Sequence, residues 1–253
     1  MLKLGNGAKG MNETVMQSVD EMKEWLRQII DRRELYMLYQ PIYDIQHHRL
    51  YGYEALLRAD AKHGLSPLDL FSMAKTCEMT YDLDVYALQI AMSSFPARES
   101  KLFLNVLPST LYHPQFFYDF QRLLHQSDLS GDQILLEINE GEMVANFAPL
   151  KKCLQALRQL RVSVVLDDVG SGYSIQMMLE LESDMIKIDR FLVEDVDRSE
   201  KKQRVIRMIG ELVENRMPII AEGIENVREL ETLQKLGIRL GQGYLLGKPS
   251  TIA

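Results

Sequence analysis

Four segments of this sequence run apolar and then end in charge: ILLEINE at 134–140, SVVLDDVG at 163–170, MIKIDR at 185–190 and PIIAEGIE at 218–225. Each has the pattern of a buried strand that delivers an ionisable side chain at its end. With the ends of further apolar runs they bring forward Glu54, Asn105, Glu137, Asp167, Asp168, Lys187, Glu222 and Gln242. Carboxylates gathered at one place raise each other's pKa unless cations sit among them. Oxygen donors alone, with no His or Cys at hand, favour Mg²⁺ or Mn²⁺ over Zn²⁺. The adjacent Asp167 and Asp168, followed by Gly170 and Gly172, suit a carboxylate bridging two ions ~3.5–4 Å apart, a pair that activates water and stabilises the leaving oxygen in phosphoester cleavage. Lys187 is spaced to share one strand face with Met185 and Asp189. Among carboxylates it would orient or deprotonate the attacking water, or offset charge on a phosphate. Glu54 and Arg58 share another face, so Arg58 is expected to fork onto phosphate while Glu54 holds metal.

Taken singly, each residue has a plainer reading. A strand-end Asp such as Asp168 is a turn or helix cap, and Lys187 alone is a salt-bridge partner. GSGYS at 170–174 is ordinary loop chemistry. His47 and His48 read as solvated turn residues, Met177 and Met178 as core filler. The joint arrangement carries the functional reading.

The elements that must position these residues alternate along the chain. Strands are expected at Leu35–Ile45, Leu50–Leu57, Leu102–Leu107, Ile134–Asn139, Ser163–Val169, Met185–Asp189, Pro218–Ile224 and Arg239–Leu246. Helical patterns lie between most of them, as at Pro114–Gln126, Pro149–Leu160, Lys201–Asn215 and Asn226–Leu236. Such alternation implies parallel pairing through right-handed crossovers. This number of strands suits a closed TIM-type barrel, with a hairpin around Gln46, His47 and His48 at its start, and places the polar strand ends on the rim where such barrels carry out chemistry. No Gly-x-Gly-x-x-Gly opens a helix near the first strand, which argues against a dinucleotide-binding sheet.

At 253 residues, 46% hydrophobic and 26% charged, the chain has the composition of one large globular domain, which excludes disordered and collagenous classes. A net charge of −7 without any Lys/Arg block argues against duplex nucleic acid as a partner. No segment has the ~18 continuous apolar residues of a membrane span, and the N-terminus lacks the apolar region of a secretion signal. The two cysteines, Cys77 and Cys153, form no disulfide framework or metal-ligand spacing, so a reducing cytoplasm is expected. Residues 1–10 read as a disordered lead, native or left by expression, and 11–32 as an N-terminal helix. That helix carries Met16, Val19, Met22, Trp25, Leu26, Ile29 and Ile30 at helical spacing. It either covers one end of the domain or docks a regulatory partner. The main domain is expected over 33–250.

Read together, these residues resemble the EAL domains, bacterial phosphodiesterases that linearise cyclic di-GMP on a TIM-like barrel whose first strand is antiparallel. The signature stands here as Glu54-Ala55-Leu56. In order along the chain stand YQPI at 39–42, LNV at 104–106, LEINE at 136–140, DDVGSGYS at 167–174, KIDR at 187–190, AEGIE at 221–225 and QGYLLGKP at 242–249. The resemblance implies that Glu54, Asn105, Glu137 and Asp167 bind one Mg²⁺ or Mn²⁺, and that Asp167 and Asp168 bind or approach a second. It gives Lys187 and Glu222 the ordering of the hydrolytic water and metal shell, supported by Gln242. Gln40, Arg58, Arg190, Asp189 and Pro249 would line the substrate site, Glu140 would anchor the loop after the double Asp, and Glu225 is a nearby acidic position. A homodimer is implied as well.

Departures from the family pattern fall next to the ligand positions. Val169 replaces the usual Phe, Asn139 the usual Thr, Leu107 a common Ser, and the stretch from Ser174 to Lys187 is one residue shorter. Small misplacements there cost up to ~10²-fold in rate. The expected reaction is two-metal hydrolysis of cyclic di-GMP to linear pGpG. The rival expectations are a catalytically silent cyclic di-GMP receptor and a protein-interaction module.

Overall fold

The computed structural model describes residues 18–252, apart from 97–98, 140–141, 143, 145, 171–173 and 214–216. Its centre is a closed barrel of eight strands in sequential order. The strands are β1 (Leu35–Asp44), β2 (Arg49–Ala59), β3 (Lys101–Val106), β4 (Ile134–Ile138), β5 (Ser163–Val169), β6 (Met185–Ile188), β7 (Ile219–Ala221) and β8 (Leu240–Gly241). β1 runs antiparallel to both neighbours, and every other pairing is parallel. The expected hairpin is therefore present, its register running from Leu35 opposite Ala59 to Asp44 opposite Arg49.

The last two strands are shorter than the apolar pattern suggests. The chain leaves the ladder after Ala221 and Gly241 because Gly223 (φ 71°) and Gly243 (φ 159°) turn it away. At both points a side chain would collide: a Cβ on Gly223 would lie 2.5 Å from Arg190 Cγ, and one on Gly243 2.2 Å from Ile224 backbone.

Helices cover the outside: α1 (Val19–Asp31), α2 (Pro67–Thr76), α3 (Thr80–Ser94), α4 (Pro108–Leu111), α5 (Phe116–Gln126), α6 (Phe147–Gln159), α7 (Ser174–Glu180), α8 (Arg190–Val193), α9 (Glu200–Leu212) and α10 (Val227–Lys235). α2 and α3 occupy the interval between the second and third strands that the sequence pattern leaves unassigned. The helix containing Ile29 starts later than its apolar spacing implies: Ser18 caps it, accepting from Glu21 N at 3.2 Å, and Met16 lies outside the described residues. Leu26 and Ile29 are fully buried and Met22, Trp25 and Ile30 pack against the same core, so α1 turns most of its apolar face onto its own domain and leaves Val19 exposed. Among the described residues no helix is long and apolar enough to cross a membrane.

The core has two parts. The larger lies between barrel and helices and holds the outward residues of the strands, such as Leu104, Leu136, Leu166 and Ile186. The smaller fills the barrel with Ile42, Phe103, Leu135, Val165, Met185, Ile220 and Leu240, one from each strand except β2. Because strand side chains alternate with period two, the next interior residue toward the C-terminal rim is fixed in each case. Those residues are Gln40, Asn105, Glu137, Asp167, Lys187, Glu222 and Gln242, and β2 adds Glu54. An apolar plug thus supports a layer made entirely of polar residues.

Candidate active site

Lys187 is the hub of this layer. It has no solvent exposure, and its Nζ lies 2.6 Å from Glu222 Oε1, 3.0 Å from Glu137 Oε1, 3.2 Å from Glu54 Oε2 and 3.4 Å from Asp167 Oδ1. Glu54 is further held by Asn105 Nδ2 (2.8 Å) and Gln242 Nε2 (2.6 Å). Gln242 Nε2 also donates to Gln40 Oε1 at 3.0 Å, and Gln40 Nε2 to Gly247 O at 3.1 Å. With its amide nitrogen committed to Glu54, Asn105 turns its carbonyl oxygen away from that carboxylate.

Asp168 joins the layer through a backbone irregularity. Consecutive strand residues face opposite ways, so Asp168 should point out of the barrel. Between Leu166 and Val169 the pairing with β6 slips, the three steps on β5 matching two from Ile186 to Ile188, and Asp168 takes φ 58°. This is a β-bulge whose extra residue sits in the left-handed region. It brings ligand oxygens of Asp167, Asp168 and Glu222 within 4.8 Å of one another. The bulge is what pairs the two aspartates, and Gly172 lies outside the described residues.

Three buried carboxylates and the partly buried Glu222 around one ammonium cannot all stay ionised without further cations. Burial, then the charge of Glu54, drives the Glu137 carboxyl well above the ordinary range despite Lys187. Burial pushes Glu222 up to about 8 and raises Asp167. Glu54 stays below its usual value, because Lys187, Gln242 and Asn105 together outweigh its burial. Lys187 is also buried, yet its four anionic neighbours hold its proton far more firmly than water does. Among the described residues Glu137 Oε2 and Gln242 Oε1 are buried without a hydrogen-bond donor, while Glu137 Oε1 and Asp167 Oδ1 face only a share of the Lys187 ammonium that four carboxylates divide. Such orphans are rare in folded proteins. Unsatisfied anionic oxygens beside a carboxylate triad, with no His or Cys in the group, fit hard divalent cations.

The remaining expected residues lie around this centre. Arg58 donates from Nη1 to Leu57 O at 2.8 Å and lines a cavity of about 520 Å³ that also touches Asn105, Leu107, Asn139, Pro67 and Phe71. Arg190 Nη2 meets Glu225 Oε1 at 3.0 Å. Pro249 is half-buried beside the bridge between Tyr39 and Ser250, next to Gln40. The face expected to be shared by Met185, Lys187 and Asp189 holds for the first two only. The strand ends at Ile188, and the Asp189 carboxylate caps α8 by accepting from Phe191 N at 2.8 Å. Glu140 lies outside the described residues. Of the departures from the family pattern, Val169 is buried opposite Ile188, while Leu107 and Asn139 line the cavity.

Sequence reasoning passed over Asp84. It lines the same cavity at 2% exposure, accepts from Leu107 N at 2.9 Å, and burial lifts its carboxyl to about 6. The signal was present: Asp84 stands four and seven residues before Leu88 and Ala91, on the apolar face of its helix.

Comparison with known proteins places this geometry. The pattern of the EAL domain matches residues 23–249. The chain is 30% identical over 236 residues to the probable cyclic di-GMP phosphodiesterase PdeI of Escherichia coli, covering 88% of this chain and 30% of that protein. It is 28% identical over 243 residues to the cyclic di-GMP phosphodiesterase NbdA of Pseudomonas aeruginosa, covering 92% and 31%. The chain thus spans about a third of the length of the curated relatives it matches. Among solved structures, a manganese and cyclic di-GMP complex of Klebsiella pneumoniae BlrP1 superposes with a TM-score of 0.77 at 32% identity, over 86% of this chain and 56% of that one. A match along nearly the whole barrel, on top of a rim layer filled by the expected residue types, makes this chain a member of the EAL domain family.

Proposed function

We propose that the protein hydrolyses cyclic di-GMP to linear pGpG with the help of two divalent ions, Mg²⁺ or Mn²⁺. The observation that carries this reading is the polar layer itself, in which, among the described residues, anionic oxygens outnumber a single buried cation. Glu54, Asn105, Glu137, Asp167, Asp168 and Glu222 would hold the ions, which supply Lewis acidity toward water and toward the phosphodiester oxygens. The chain's own contribution is placement. Lys187 keeps its proton among the carboxylates, so it serves as a donor that orients water and offsets charge on phosphate, rather than as a base. Gln242 and Asn105 fix the Glu54 carboxylate from both sides, and Gln40 ties that arrangement to the segment at Gly247. Arg58 and Arg190 supply fixed positive charge for a dianionic substrate to an otherwise acidic chain.

The cavity beside Asn105 supports guanine as the base. Pro67, Phe71 and Leu68 give it apolar walls, and Asp84 gives it a buried acceptor. Guanine presents N1–H and a 2-amino group, a donor pair that suits a carboxylate; adenine has no N1–H. A homodimer belongs to the same proposal, and Val205, Met208 and Leu212 form an exposed apolar stripe along α9 that suits such an interface.

Incubation of purified protein with cyclic di-GMP and Mg²⁺ or Mn²⁺, with chromatographic separation of products, tests the reading. Metal-dependent pGpG is the expected result. Substitutions beside the ligands favour the receptor reading as second, and it predicts thermal stabilisation by the nucleotide with no product. No stabilisation and no product would refute both.

A further inference from the structure

We propose that Glu229, outside the metal layer, is a positioning residue that fixes Arg190 at the substrate rim by clamping the loops after β6 and β7 to each other. The inference rests on the phosphodiesterase reading above.

Glu229 sits in the first turn of α10 with 3% exposure. Its Oε2 accepts from Glu225 N at 2.9 Å and Asn226 N at 3.2 Å, while Glu229 N donates to Asn226 Oδ1 at 3.1 Å. Those contacts are the reciprocal cap of a helix start and need no further explanation. The other oxygen does something a cap does not require. Oε1 accepts from Asp195 N at 3.0 Å, 34 residues earlier in the chain and in the loop beyond α8. Asp195 adopts φ 53°, a conformation that costs a non-glycine residue and persists where surrounding contacts impose it.

Those contacts close a ring. From Asp195 the chain runs back through α8 to Arg190 at its first turn. Arg190 Nη2 reaches Glu225 Oε1 at 3.0 Å and Glu194 Oε1 at 3.6 Å. Glu225 N returns to Glu229. The stem of Arg190 lies on Gly223, where an added Cβ would be 2.5 Å from its Cγ, one residue beyond Glu222. The Arg190 side chain is 53% exposed, and an exposed ion pair alone holds a long side chain weakly. A buried carboxylate bonded by three backbone N–H groups is a far stiffer anchor. Glu229 supplies that stiffness to both loops, and Arg190 is the side chain they jointly aim.

Calorimetric titration of cyclic di-GMP into the whole protein with Ca²⁺ tests this on wild type, Glu229→Ala, Glu229→Gln, Arg190→Ala and the Glu229→Ala/Arg190→Ala pair. Initial rates with Mg²⁺ separate KM from kcat. Glu229→Ala should raise Kd and KM roughly 10-fold with a smaller change in kcat, and Glu229→Gln, which keeps one acceptor and the volume, should do less. In the Arg190→Ala background the same alanine substitution should change Kd by less than ~2-fold, since its effect passes through Arg190. A folded Glu229→Ala that binds within ~2-fold of wild type overturns the proposal, as does an undiminished penalty in the Arg190→Ala background. If Glu229→Ala does not fold, Glu229→Gln decides by the same criteria. Absence of binding by the wild type would remove the phosphodiesterase reading, and this proposal with it.

Discussion

The two ends of the barrel each bury an ionic cluster, and the clusters are built on opposite principles. At the closed end Asp44 has no exposure and accepts from His47 N (3.1 Å), His47 Nδ1 (2.9 Å), Arg49 Nε (3.4 Å) and Arg239 Nε (3.2 Å). One anion has surplus donors whose far ends reach water. Burial alone would raise its carboxyl, but His47 and Arg239 hold it down at about 2. At the open end one cation, Lys187, faces surplus anions, and most of their carboxyls are raised. Asp44 staples the ends of β1, β2 and β8, and its energy is spent on folding. The rim layer is left electrostatically incomplete, which costs the fold and, on the proposed reading, gives the site its affinity for cations. On that reading, buried ion clusters on one scaffold serve stability or chemistry according to which charge is in excess.

The largest test of that contrast is Glu54→Ala. It removes a carboxylate bonded to Asn105, Lys187 and Gln242 at once, and pGpG formation at matched metal concentration should fall at least ~10³-fold. A rate near wild type would erase the distinction between the two ends. Next is Lys187→Met, which takes away the only ammonium among four carboxylates. The rate should drop on the order of 10²-fold, the metal-free protein should melt lower, and divalent ions should recover most of the melting temperature but not the rate.

A third experiment compares the pH response of the ends. Glu222 titrates near 8 against an ordinary 4.5, so it binds its proton more tightly folded than unfolded. Its contribution is complete below about pH 4.5 and disappears as pH rises through about 8. Metal-free protein should therefore lose melting temperature between those values, and Mg²⁺ or Mn²⁺ should restore it most at the upper end, where proton competition is weakest. Asp44 has the reverse sign. Its stabilisation is present above 3.8 and is lost as pH falls through about 2. A metal-free melting temperature that rose steadily from pH 5 to 8 would contradict the charge excess at the rim.

The smallest expected effect on chemistry, and a moderate one on folding, comes from Asp44→Asn. Exchanging a charged acceptor for a neutral amide beside two guanidinium groups should cost about 1–3 kcal/mol, read as a fall of several degrees in melting temperature. The kcat should stay within ~2-fold of wild type, since the substitution is at the end of the barrel that supports folding rather than activity.

Pattern alone carried much of this. Alternation with period two marks an interior residue and, two positions on, the next, so apolar runs ending in Glu137, Asp167, Lys187 and Glu222 already placed polar strand ends on a barrel rim. The alternation of strands with helices, the hairpin at the start and the oxygen-only set of candidate ligands are legible in the same local information, because backbone alternation is a property of a few consecutive residues. What the linear pattern misplaced were the features that depend on where the backbone departs from regularity. Asp189 looked like a third interior residue and is a helix cap, because β6 ends one residue earlier. Asp168 is expected beside Asp167 and is found there, but regular alternation would have turned it outward, and it arrives only through a bulge. Asp84 and Glu229 became visible once helices distant in sequence laid them against Leu107 and Asp195. The four contacts of Lys187, and with them the excess of negative charge at the rim, exist because barrel closure brings five strands to one point, and no stretch of sequence contains that convergence.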